Sequence, residues 1–294
     1  MKFLRKTLRI LGVFLLLLMV GCSVLKNIQD RKAEKNGNQI DKKEFADKGI
    51  LLNSNTIFVE GKKLHYVQTG VDNAPTLLFI HGSPGNWKAF SEYLSDKELI
   101  KKYRLISIDR PGFGGSGYGE AMTVLNQCKL ISLLIKTVNN HNKIIVIGHS
   151  LGGPIVAKLA EDNSKILSGI VVVSGSVSPE LEGKESWRSL INNPILRFML
   201  PTEMSVSNDE IRYFKKEVSE IANSVKYVKI PICVIHGDKD PLVPVGNAYF
   251  IQKENPDFTT LHIIKEANHF IPWTKKAFLI ETITRFADSL SVAN

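Results

Sequence analysis

Lys143–Ile155 reads KIIVIGHSLGGPI. An apolar run enters Gly148-His149-Ser150-Leu151-Gly152, and PIVAKLAED, from Pro154 to Asp162, leaves it with helical character. Alone, G-x-S-x-G is a weak signal, and Ser150 is equally well a plain turn residue. Between a strand and a helix it marks a turn sharp enough to hold a nucleophile at its apex. Such a turn crowds the positions two before and two after the apex, and here both are glycines, Gly148 and Gly152. Pro154 suits the first helical turn, where a missing N–H forfeits no hydrogen bond.

The surroundings of this stretch set the fold. TLLFIHG (Thr76–Gly82), RLISID (Arg104–Asp109), GIVVVSG (Gly169–Gly175), PICVIHG (Pro231–Gly237) and TLHIIKEANH (Thr260–His269) are further apolar runs that end in turn residues. Strands apolar on both faces suit a buried parallel sheet. TIFVEGKKLHYVQTG reads as a hairpin around Glu60-Gly61. Val124, Cys128, Ile131, Ile135 and Val138 form one helical stripe, and Leu279, Ile283, Phe286 and Leu290 form another. The alternation predicts an α/β fold, a mostly parallel sheet with helices on both faces. From Ser176 to Val225 the alternation stops. The segment carries Trp187, Phe198, Met199, Phe214, Val218 and Ile221 at helical spacings, and is expected to form a small helical lid at about 177–226. An ordinary long crossover is the alternative.

The 294-residue chain is 44% hydrophobic, and its net charge is +9. Four of the positive charges, Lys2, Arg5, Lys6 and Arg9, precede the apolar run Ile10–Val20, which leaves +5 dispersed over the rest. Such a dispersed surplus speaks against a nucleic-acid partner. Residues 1–21 read as an export signal, since the uncharged run Ile10–Leu25 is short for a membrane-spanning helix. LMVGC, Leu18–Cys22, resembles a bacterial lipobox, which implies lipidation of Cys22 and membrane association through the N-terminus. An uncleaved anchor is the alternative, and either places the body outside the cytoplasm, on an envelope or periplasmic face. The polar stretch at 22–54 suits a tether, with the folded body at 55–294. Cys128 and Cys233 read as small buried hydrophobes, although export permits a disulfide between them. No Cys/His spacing suggests a metal, and no cofactor is expected. Nothing indicates an oligomeric state.

A serine nucleophile needs a base, and the base needs an orienting acid. In this architecture acid and base follow the serine in sequence. His236 comes too early to follow an acid, and His262 lies inside a strand. His269, in EANHFIPW, follows the last apolar run and is the expected base. Asp238 and Asp240, in HGDKDPLVP, are the candidate acids. Asp240 precedes Pro241, which favours an extended backbone and a projecting side chain, whereas Asp238 can cap the turn. Asp257 and Glu266 are worse placed, on a helix exit and in a strand. Two backbone N–H groups must hold the developing oxyanion. Leu151, after the nucleophile, offers one, and Ser83, in HGSPG, offers the other.

These pieces together resemble the α/β-hydrolase family. HGSPG is similar to its oxyanion loop, GHSLGG to its nucleophile elbow, GDKDPLVP to its acid loop and ANHF to its histidine loop. DRPGFGGS, Asp109–Ser116, resembles a turn that is structural in the family, so Asp109 and Arg110 are not expected in catalysis. The resemblance runs from about Thr56 to Leu290. It implies a serine hydrolase with Ser150, His269 and Asp240 as triad, acting on a small-molecule ester or related acyl substrate. Family branches that open epoxides or remove halide use an Asp nucleophile, and Ser150 stands there instead. Amide, lactone or C–C bond hydrolysis and perhydrolysis remain alternatives on the same site, and a non-catalytic anchored binding module is the rival.

Overall fold

Five of the six apolar runs become strands buried on both faces, and the run from Thr260 becomes a half-buried strand at the sheet edge. The strands are β1 (Asn53–Val59), β2 (Lys62–Gly70), β3 (Thr76–Ile80), β4 (Arg104–Ile108), β5 (Ile144–His149), β6 (Gly169–Val173), β7 (Ile232–Gly237) and β8 (Thr259–Ile264). They form one sheet in the order β1-β2-β4-β3-β5-β6-β7-β8. β1 and β2 pair antiparallel, as do β2 and β4, and β3 to β8 run parallel. The computed structural model describes residues 41–183, 188, 193, 197 and 200–290. The expected export signal, Cys22 and most of the tether lie outside those residues, as do Trp187, Phe198 and Met199. Residues 41–47 are helical and belong to a unit that ends at Asp47. The folded body begins at Lys48, earlier than the expected 55.

Among the described residues, five helices of eight residues or more accompany the sheet: α1 (Val124–Val138), α2 (Gly152–Asp162), α3 (Thr202–Tyr227), α4 (Gly246–Glu254) and α5 (Lys276–Ser289). Leu78, Ile80, Ile106, Val146, Val172 and Val234 share one core cluster with residues of α1 to α4. Their alternate neighbours Leu77, Phe79, Ile145, Ile147 and Val171 are equally buried, so the sheet is covered on both faces.

The chain leaves β3 to form β4 on one side, then returns to place β5 on the other. The carboxyl ends of β3 and β5 therefore flank a point where the strand order reverses, which is where α/β sheets open a binding crevice. Ile80 pairs with Gly148 at that edge, so the loops after them start side by side. Likewise Gly237 of β7 pairs with Ile264 of β8, which brings the acid and histidine loops together.

The segment expected as a lid departs from that expectation in its second half. It is one 26-residue helix, α3, whose Phe214, Val218, Ile221 and Val225 belong to the main core cluster. Its apolar stripe covers the helices on the sheet and is a layer of the body. Strand β8 also ends at Ile264, earlier than the apolar run suggests, and Glu266 sits in a turn with φ of 54°. Cys128 and Cys233 are free, buried thiols. Burial pushes both thiol pKa values up, that of Cys233 to about 12.

A core-layer role for α3 predicts that Ile221→Ala destabilises the whole body by about 2–5 kcal/mol. A shift of the entire urea unfolding transition to lower concentration would show this; an unchanged midpoint would mean that α3 behaves as a detachable lid.

Candidate active site

The turn after β5 is built by close contact. Ser150 has φ of 55°, left-handed and costly for a side-chain-bearing residue. Its amide donates to Val173 O at 3.0 Å, and its carbonyl accepts from Gly153 N at 2.8 Å. A Cβ on Gly148 would lie 2.2 Å from Gly152 O, and one on Gly152 would lie 2.5 Å from Ile80 O. Both positions exclude a side chain, as the sequence pattern anticipates, and the second contact ties the turn to the end of β3.

Ser150, Leu151, Gly82, Ser83 and His269 all face one cavity of about 720 Å³. Ile211, Phe214, Val243, Leu242, Phe270 and Trp273 supply much of its apolar wall. Phe214 thus reaches the cavity from the fixed helix α3. Among the described residues, neither Leu151 N–H nor Ser83 N–H is engaged in a hydrogen bond. The Ser83 hydroxyl donates to Ser207 Oγ of α3 at 2.8 Å.

His269 Nδ1 donates to Asp240 Oδ2 at 2.8 Å, which leaves Nε2 bare. Oδ1 of the same carboxylate accepts from the amides of Leu242 and Val243 at 2.9 and 2.8 Å. Burial alone would raise the Asp240 pKa. Hydrogen bonds from His236, His269 and the Val243 amide outweigh it and hold the carboxyl below the usual carboxylate range. Asp238 takes no part in this cluster, and its buried Oδ1 has no hydrogen-bond partner among the described residues. The Ser150 hydroxyl forms no hydrogen bond with His269; such contacts are often loose until substrate is bound. His262 is half-buried in β8, edge-on to Phe278.

Two histidines matter more than the sequence suggested. β8 lies three strands from β5, about 14 Å away, so the histidine loop must reach back across the sheet end. His149 Nε2 meets it, donating to His269 O at 3.0 Å. Its ring stands 4.8 Å from that of His269 and edge-on to Trp273. Burial, with the neighbouring His269, pushes the His149 pKa down to about 3, so it is a neutral donor. His236, passed over as a base, is wholly buried, with Nε2 2.9 Å from Val243 O and 3.4 Å from Asp240 Oδ2. Its position four residues before Asp240 was the available signal.

Residues 75–198 match the family model described as the alpha/beta hydrolase fold. The chain is 29% identical to epoxide hydrolase 1 of Caenorhabditis elegans over 143 residues, which are 47% of this chain and 35% of that protein. It is 24% identical to 2-hydroxy-6-oxo-6-(2'-aminophenyl)hexa-2,4-dienoic acid hydrolase of Metapseudomonas resinovorans, over 64% of this chain and 75% of that protein. It spans 47% or less of the length of the epoxide hydrolases it matches first. Among solved structures, a lipase-esterase related protein of Clostridium acetobutylicum superposes with a TM-score of 0.59 and 26% identity, over 76% of this chain and 99% of that one.

The neutral histidines give stability a pH dependence of known sign. His81, on the loop after β3, is held well below its ordinary pKa by burial and by the Arg110 cation, as His149 is by burial. The unfolded chain protonates both rings near pH 6.5 while the folded one does not. The stability this contributes is complete above about pH 6.5 and falls with pH by up to about 1.4 kcal/mol per unit for each ring. Urea unfolding between about pH 7.5 and about pH 5 should show this slope, reduced by one ring's share in His149→Gln.

Proposed function

We propose that this chain, which has the alpha/beta hydrolase fold, is a serine hydrolase that cleaves a carboxylic ester or related acyl bond. The observation that carries the reading is the charge-assisted His269–Asp240 hydrogen bond facing the same cavity as the strained Ser150. His269 Nε2 takes the Ser150 proton as the oxygen attacks the substrate carbonyl, and Asp240 stabilises the imidazolium. The N–H groups of Leu151 and Ser83 receive the oxyanion. His269 then protonates the leaving group, and a water activated by the same ring releases the acyl group from Ser150. The apolar wall supports an apolar acyl group. The activity named for the epoxide hydrolase relatives does not carry over, because Ser150 occupies the place where that branch has Asp.

A fluorophosphonate probe should label the protein at Ser150 and leave Ser150→Ala unlabelled. Ser150→Ala and His269→Ala should each lose about a thousandfold or more in kcat on a p-nitrophenyl ester. Full turnover by Ser150→Ala would overturn the assignment. A protein that labels but ignores an ester chain-length series, while cleaving an amide or a C–C bond, would move the substrate class and keep the mechanism.

Export and anchoring are proposed from the N-terminal sequence alone: four basic residues, the apolar run Ile10–Val20 and Cys22. A clickable palmitate analogue should enter the full-length chain expressed in bacteria and be absent from Cys22→Ala. Equal incorporation in both, or none in either, would favour the uncleaved anchor.

A further inference from the structure

The most completely buried cation among the described residues lies behind the loop that follows β3. Arg110 is fully buried, and all of its side-chain donors are used. Nε donates to His81 O at 2.9 Å, and Nη2 donates to Gly82 O at 2.8 Å. Nη1 donates to Gln127 Oε1 of α1 at 2.8 Å. The fork then closes on Glu210 of α3, with Nη1–Oε2 at 2.7 Å and Nη2–Oε1 at 2.9 Å. Gln127 Nε2 also donates to Glu210 Oε2, at 2.9 Å. Phe113 lies against the guanidinium, 4.9 Å from its carbon.

His81 completes the arrangement. The Arg110 amide donates to His81 Nε2 at 3.0 Å, so the ring's hydrogen sits on Nδ1, which donates to Gly82 O at 2.7 Å. The Gly82 carbonyl is thus held by two donors, one of them cationic. That carbonyl and the Ser83 N–H are the two ends of one peptide plane. The peptide is trans, so the two bonds point in opposite directions. Fixing the carbonyl inward on Arg110, which does not face the cavity, fixes the Ser83 N–H outward. A Cβ on Gly82 would lie 2.9 Å from Ser150 Cβ, so this peptide is packed against the proposed nucleophile. A cation on the carbonyl also polarises the peptide and strengthens its N–H as a donor.

We propose that Arg110, held by Glu210, is the positioning residue of the oxyanion site: it aims and polarises the Gly82–Ser83 peptide whose N–H receives the developing charge. It touches no substrate. Its effect belongs to the transition state, because only there does full charge reach the oxygen. A fork of parallel donors is required, and a lysine ammonium supplies the charge without the geometry. Through Glu210, helix α3 becomes part of the oxyanion machinery. The inference rests on the serine hydrolase reading above.

Arg110→Lys tests it, measured per active site titrated with a fluorophosphonate so that lost or misfolded protein does not count. Removal of a direct oxyanion donor costs about a hundredfold to a thousandfold. Misaiming one should lower kcat per titrated site by about tenfold to a hundredfold while KM on a p-nitrophenyl ester stays within about twofold. Affinity for a trifluoromethyl ketone, whose adduct with Ser150 carries the oxyanion, should fall in parallel. A merely structural arginine would reduce the titrated fraction and leave kcat per site and ketone affinity unchanged, which would overturn the proposal. If Arg110→Lys does not fold, Glu210→Gln is read in the same way, with a smaller loss expected. The amide ¹⁵N shift of Ser83 reads the Gly82 carbonyl contact without substrate, and no shift change in either variant would also overturn it. A wild-type protein that neither labels nor hydrolyses would instead overturn the serine hydrolase reading.

Discussion

The site depends on backbone contacts too close for any side chain. At Gly148 a Cβ would meet Gly152 O, and at Gly152 it would meet Ile80 O, at 2.2 and 2.5 Å. The first contact allows β5 to turn abruptly into α2. The second presses that turn against the end of β3, from which the Gly82–Ser83 loop departs. A methyl group at either place would force apart Ser150 and the peptide facing it, and a shift on the order of 1 Å is enough to disable such a constellation. The left-handed backbone of Ser150 is tolerated because the turn has no room for another path.

Around these contacts the protein uses imidazoles as neutral hydrogen-bonding parts. His81 holds Gly82 O, and His149 holds His269 O. Burial keeps both uncharged, so each has one ring nitrogen to give and one to accept with. His269 differs because a carboxylate stands behind it. That carboxylate is itself ionised against the cost of burial by donors from His236, His269 and Val243. Arg110, the one guanidinium among the described residues that is fully buried, is matched by the carboxylate of Glu210, which a buried charge requires.

Much of this was legible because parallel strands buried on both faces leave continuous apolar runs, and all eight strands coincide with such runs or with the hairpin. The loops at their ends carry turn residues, and so the candidate site residues could be placed in order along the chain. Reading failed where the partner surface mattered. The stripe Phe214, Val218 and Ile221 shows that α3 has an apolar face, but an amphipathic pattern does not say whether that face closes over a cavity or packs on the body. Arg110 looked like a turn residue because its partners, Gln127 and Glu210, are 17 and 100 residues away.

By itself, then, the sequence determined the α/β architecture, the glycine-flanked turn at Ser150 and a short list of acids and bases on the right loops. These follow from local rules: apolar periodicity, turn chemistry and the volume of a side chain. Tertiary structure alone decided that His236 stands behind the Asp240 carboxylate, that His149 draws the histidine loop back across the sheet, and that α3 anchors the loop behind Gly82. The last two are contacts between residues distant in sequence, set by how strands and helices pack, and no local pattern encodes which distant group will fill the space.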